Sequence, residues 1–383
     1  MSSSPAASAF DFDSVLERKD SSSTKWLKYG DRDILPFWVA DMDFASPDFI
    51  LNALHQRLEH PIIGYTDVPN SLTEAFQAWL LHHFDWSVRP EWVVWLPGIV
   101  PGLNMAARLL SDNARMLVPT PIYYPFLDLA KNAGKQHCGV ALQHVDGRWQ
   151  MDFQAMTEQA ATTEAVFIAN PQNPTSRCYT REELLALAEF AERQNQLLVS
   201  DEIHCNIILD TDCHHVPVAK LVPEIAERTI SLFAATKTYN IPGLGCAAAV
   251  IPNQALRRRY KAQKLGMVSS LGPLNVTASE AAFNDRSRYL PELLNYLRGN
   301  VARLQEVIGD RLAPVEATYL AWIDIRDLRL NDPAAHFERH GLGLSHGAQF
   351  GAPGYIRFNF ACPRSTLEAG LERLTAALAS AEQ

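Results

Sequence analysis

The sequence has no apolar run approaching the roughly 20 residues that a membrane span needs. It has no G-x-G-x-x-G and no G-x-x-x-x-G-K-[ST], so neither common nucleotide-phosphate loop is present. It has no C-x-x-C pair, no internal repeat and no low-complexity linker. Six cysteines (Cys138, Cys178, Cys205, Cys213, Cys246 and Cys362) are scattered over 383 residues; they read as reduced thiols of a cytoplasmic protein, not as a disulfide framework. "DCHH" at 212–215 matches no zinc spacing and reads as a polar loop. Positive charge is also scarce. The net charge is −9, and "RRRYK" at 257–261 reads as a solvated helix face, so no nucleic-acid or membrane partner is expected. The opening "MSSSPAASAF" lacks a basic start and a long apolar stretch and is expected to be a disordered lead-in, not a signal peptide.

The composition is that of a globular protein, 47% apolar and 20% charged, and the length suggests more than one core. From about residue 90, strand-like and helix-like patterns alternate. "EWVVWL", "ARMLVPTP", "AVFIANP", "QLLVSDEIH" and "TISLFAAT" read as strands. "REELLALAEFAERQN" places Leu184, Leu187, Ala188 and Ala191 on one helical face. Such alternation predicts an α/β domain with a mostly parallel sheet and helices on both faces. After residue 285 a long helical pattern, two short strands and a closing helix suggest a smaller α+β domain. The expected division is residues 1–48 joining the small domain, 49–284 forming the large one, and 285–383 the small one.

Ligands of open α/β sheets sit beyond the carboxyl ends of the strands. In order, those ends offer Ile99 and Val100 at a helix start, Tyr123 and Tyr124, Asn173, Asp201, and Lys237. Lys237 stands out, because "SLFAATKTYNIPGLG" holds one lysine in an apolar and hydroxylic run, whereas lysines normally stay at the surface. Taken alone it could be an ordinary lysine at a helix start. Three anchors in order argue otherwise: "NPQNPT" (170–175), "SDE" (200–202) and "TKT" (236–238), with 28 residues from Asn173 to Asp201 and 36 from Asp201 to Lys237.

This set resembles the fold-type I pyridoxal-phosphate enzymes, the aminotransferase class I/II family. "WVADMDF", "PGIVPGL", "PIYYPF", "SDEIHC", "NIPGL" and "IRFNFACPRS" resemble its MalY/PatB-type cystathionine β-lyase (C–S lyase) branch. The resemblance runs over residues 10–380 and implies an aspartate aminotransferase-like fold with a seven-stranded sheet, pyridoxal 5′-phosphate as cofactor, and a homodimer. Lys237 would then be the nucleophile that joins the cofactor aldehyde and later the base at the substrate Cα. Asp201 would keep the ring nitrogen protonated, Asn173 would bond the ring oxygen, Tyr123 would stack on the ring, and His204 would lie near it. The Ile99 and Val100 amides and the Thr236 hydroxyl would hold the phosphate, with Tyr65 reaching the phosphate of the neighbouring subunit. Arg357 would hold the substrate carboxylate in a bidentate fork. Trp38, Tyr124, Phe37 and segment 266–272 are candidates for the pocket above the ring.

Three positions depart from the family pattern. Ser176 replaces a usual glycine, so either the turn is reshaped or the serine sits in an ordinary conformation. Ala234 replaces a serine, leaving Thr236 and backbone amides for the phosphate. Asn206 stands where an acid is expected. The motifs serve elimination and transamination alike. The branch favours a C–S β-lyase on cystathionine, cysteine or an S-substituted cysteine. A class I/II aminotransferase is the alternative, and a regulatory partner of a transcription factor a further one.

Overall fold

A computed structural model describes residues 10–381. The expected lead-in at residues 1–10 lies, but for Phe10, outside the described residues. Seven strands form the central sheet: β1 (Val93–Leu96), β2 (Arg115–Thr120), β3 (Gln136–Ala141), β4 (Thr163–Ala169), β5 (Leu197–Asp201), β6 (Thr229–Phe233) and β7 (Ala247–Val250). Their spatial order is β1-β7-β6-β5-β4-β2-β3, and every pairing is parallel except those of β7 with β1 and β6. The alternating pattern thus matches five of these strands and the mostly parallel sheet. It missed β3, half exposed at the edge, and β7, whose "AAAV" carries little of the branched and aromatic signal of a strand. Alanine suits β7 because both its faces are fully buried.

Helices cover both faces. On the way around the sheet these include α1 (Asp48–Leu58), α2 (Asn70–Phe84), α3 (Ile99–Ala107), α4 (Pro125–Ala133), α5 (Arg181–Arg193), α6 (Gln254–Ala262) and α7 (Pro273–Phe283). In α5 the Thr180 hydroxyl accepts from the Glu183 amide and the Glu183 carboxylate accepts from the Thr180 amide, a capping box; Leu184, Leu187, Ala188 and Ala191 all face the core. A C-terminal layer follows: α8 (Tyr289–Ile308), then an antiparallel sheet of β8 (Leu320–Asp324), β9 (Ser345–His346) and β10 (Tyr355–Asn359), closed by α9 (Arg364–Ala381). The N-terminal residues pack on this layer. Leu35–Pro36 pairs with Leu342–Gly343, and Phe37 stacks on Phe358 with ring centroids 4.2 Å apart.

Candidate active site

The carboxyl ends of β1, β2, β4, β5 and β6 open on one cavity of about 230 Å³. Lys237, Asp201, Asn173, Tyr123, His204, Ile99, Val100 and Thr236 all line it. Gly245 lets the wall close: a Cβ there would lie 2.3 Å from the Pro97 carbonyl oxygen, so only glycine allows β1 and the approach to β7 to meet. A second cavity, of about 440 Å³, lies against the C-terminal layer and is lined by Arg357, Trp38 and Tyr124. Lys237, Tyr123 and Ala40 line both, so Lys237 stands at the junction.

Strand and turn geometry explains the convergence. Asp201 is the last residue of β5 and Lys237 follows β6, its parallel neighbour. No helix begins at Lys237; residues 236–240 form a turn. The Lys237 Nζ donates to the Ala40 carbonyl, which also accepts from the Tyr319 hydroxyl at 3.0 Å. Burial pushes the Lys237 amine down to about 8, partly offset by Asp41. Burial drives the Asp201 carboxyl the other way, up to about 7, although one oxygen accepts from the Ile203 amide at 3.0 Å. Burial likewise holds His204 well below its ordinary value, and the Lys237 and Arg357 charges add to this.

Arg357, fully buried on β10, donates to Asn173 Oδ1 at 2.9 Å and to the Trp38 carbonyl at 2.7 Å. Its Nε is buried without a partner. Burial lowers this guanidinium to about 10. With its oxygen taken by Arg357, Asn173 presents its amide N–H groups as the donors left for a ligand.

The first cavity fits a flat group that is anionic at one end and cationic in the middle. Asp201 is a buried carboxylate with no cation within ion-pair distance among the described residues, an arrangement costly unless a positive group is placed against it. The His204 Nδ1 is buried with no partner. The free amides of the first turn of α3 open on the cavity at Ile99 and Val100, and no side chain caps them. Pyridoxal 5′-phosphate carries a ring nitrogen for Asp201, a ring oxygen for Asn173 or His204, and a phosphate for α3.

The other expected residues are placed as follows. Tyr65 lies in the extended segment between α1 and α2, fully exposed, and lines neither cavity of its own chain. Segment 266–272 lines neither cavity as well. Phe37 is not a pocket residue: its ring is buried between Phe358 and the face of Gly370. Ser176 follows neither expected course. It takes the left-handed φ of +58° that glycine usually supplies, and its hydroxyl bonds Thr318 Oγ1 at 2.9 Å and the Leu320 carbonyl. Ala234 lines the first cavity, and Asn206 is buried with its side-chain oxygen unpartnered.

Sequence reasoning missed what holds the junction. Lys25 is buried and pairs with Asp43 at 2.6 Å; Arg18 bridges Asp43 and Asp41. Burial opposes ionisation of Asp43, yet Lys25 and Arg18 hold its carboxyl below the usual range. Asn240, just after Lys237, accepts from the Met42 amide at 2.9 Å and donates to the Met42 and Phe44 carbonyls. The carbonyl of Ala40 is therefore fixed from both sides. The alternating acids of "ADMDF" were the available signal.

Three comparisons agree with this geometry. The pattern of aminotransferase class I and II matches residues 32–374. Cystathionine β-lyase PatB of Bacillus subtilis is 33% identical, over 96% of this chain and 99% of the relative. Protein MalY of Escherichia coli is 30% identical, over 96% and 99%. Among solved structures, OvoB superposes with a TM-score of 0.94 at 41% identity, covering 97% of this chain and all of that one. The PLP-bound C–S lyase of Staphylococcus hominis superposes with a TM-score of 0.91 at 30% identity, covering 97% and 99%.

Proposed function

The chain belongs to the aminotransferase class I and II family, and from that premise we propose that it is a pyridoxal 5′-phosphate-dependent carbon–sulfur β-lyase. With one water consumed, it cleaves cystathionine, cysteine or an S-substituted cysteine to a thiol (hydrogen sulfide from cysteine), pyruvate and ammonia. The observation that carries this reading is the place of Lys237, desolvated at the point where the Asp201 cavity meets the Arg357 cavity.

When bound, pyridoxal 5′-phosphate supplies an electron sink for the charge left on the substrate Cα. The chain's own residues do the rest. Asp201 sets a buried negative charge against the ring nitrogen and keeps it protonated. Asn173 donates to the ring oxygen, with its orientation fixed by Arg357. The α3 amides and the Thr236 hydroxyl hold the phosphate. Arg357 binds the substrate α-carboxylate; its unpartnered Nε supplies a donor for the fork. Lys237 Nζ, easily neutral because it is desolvated, takes the proton from Cα. With Cβ bearing sulfur, loss of that proton is followed by cleavage of the Cβ–S bond, the sulfur leaving as thiolate.

The working form is a cytoplasmic homodimer. The exposed Ile62, Ile63 and Tyr65 support an interface there, and Leu265 and Met267 are exposed as well. From such an interface Tyr65 reaches the neighbouring subunit's phosphate site.

The test is release of thiol and pyruvate from L-cystathionine and from an S-alkyl cysteine by the cofactor-loaded protein. Amino transfer to a keto acid with no thiol released would assign the chain to the transaminating members instead.

A further inference from the structure

Resting on that reading, we propose that Lys28 selects substrates whose departing thiol carries a carboxylate. The cavity on the Arg357 side holds about 440 Å³, within the size range of drug-like ligand pockets and not only of a small amino acid. Its wall contains Arg357, Lys237 and Lys28 and no aspartate or glutamate. Asp201 belongs to the other cavity.

The two outer cations are built around a single residue. Trp38 gives its carbonyl to Arg357 at 2.7 Å and to the Ser345 hydroxyl at 3.0 Å. Its indole N–H donates to the Lys25 carbonyl at 3.1 Å, which fixes the ring. The Lys28 ammonium lies over that ring, 4.5 Å from the centroid, and 5.0 Å from the centroid of Tyr29. Lys28 has no carboxylate within ion-pair distance among the described residues, although its side chain is held in place by two aromatic faces. Ser345 and Gln349 complete this end of the cavity with neutral polar groups.

Arg357 takes the α-carboxylate, and Lys237 must be neutral to act. A second anion therefore finds its cation at Lys28. The substrate class is an S-substituted L-cysteine with a carboxylate on the sulfur substituent.

The experiment compares S-(2-carboxyethyl)-L-cysteine with its neutral isostere S-(2-carbamoylethyl)-L-cysteine on the cofactor-loaded enzyme. The expected ratio of kcat/KM, acid over amide, is about five, the upper range for one exposed ion pair. In Lys28→Met the ratio falls to about one, and in Lys28→Glu it inverts. Raising the ionic strength lowers the ratio in the wild type only. An unchanged ratio across the three proteins overturns the role of Lys28 while leaving the lyase reading standing. Release of no thiol from either compound overturns the lyase reading. Calorimetric binding of the same two compounds to wild type and Lys28→Met then decides Lys28: a preference for the acid that Lys28→Met abolishes supports it, and equal preference rejects it.

Discussion

The two cavities that meet at Lys237 are made in different ways. The first is assembled almost wholly from the ends of neighbouring strands of one sheet, taken in chain order. The second brings residues 28–40 against residues 344–357, about 300 positions away, with only Tyr123 and Tyr124 from the sheet domain besides Lys237. Topology dictates the first cavity, because parallel strands deliver their carboxyl ends to one edge. Packing of the N-terminal segment on the C-terminal layer dictates the second. The first cavity is therefore fixed by the sheet, and the second can vary in side chain without altering it.

Four experiments break or sharpen that contrast. Lys237→Ala, at the junction, disables both cavities at once; thiol release falls by about 10³-fold or more, checked by steady-state turnover of the cofactor-loaded protein. Arg357→Ala strikes the second cavity. It lowers kcat/KM by about 10²-fold, chiefly through KM, as expected for removing a buried charged partner worth 2–5 kcal/mol, while the visible absorbance of bound cofactor persists.

Asp201 reports on the first cavity alone. In the cofactor-free chain its carboxyl titrates near 7 against 3.8 when unfolded, so the folded state binds the extra proton between those values. Its contribution to stability is therefore present at low pH and is lost as pH rises from about 4 to about 7, by at most about 4 kcal/mol. Asp201→Asn flattens this slope, which denaturant unfolding at several pH values measures. A slope unchanged by the substitution would mean that Asp201 is not desolvated.

The smallest effect concerns Ser176, in the loop after Asn173. Ser176→Gly loses the hydroxyl bonds, at about 1 kcal/mol, but relieves the Cβ strain of the left-handed backbone, so the two nearly cancel. Ser176→Ala loses the same bonds and keeps the Cβ strain that serine already bears, for about 1 kcal/mol in all. Thermal unfolding that ranks alanine below glycine checks this.

The same contrast explains what was legible in the sequence. Asn173, Asp201 and Lys237 each follow a strand that reads as one, and their spacings are set by βα units, so the first cavity could be listed in order. Trp38 and Arg357 were reached through a resemblance, and their juxtaposition was invisible, since no local pattern says that residue 38 gives its carbonyl to residue 357. Lys25 was invisible for the same reason: a buried lysine is sensible only once Asp43 is beside it. Phe37 was misplaced because its ring turns onto Phe358 while its neighbour Trp38 lines the second cavity. The alanine strand β7 was missed because full burial, not side-chain preference, makes it a strand.

Ser176 has a wider reach than its size suggests. Its hydroxyl bonds Thr318 and Leu320, and its carbonyl oxygen accepts from the amides of Glu316 and Ala317. The loop presenting Asn173 is thus riveted to the strand that enters the C-terminal layer. Any swing of that layer must carry the Asn173 loop along, so Asn173 and Arg357 travel as one piece. The 28–40 segment is tied to the same layer through Leu35–Pro36 and the Trp38 carbonyl, so it follows the layer as well.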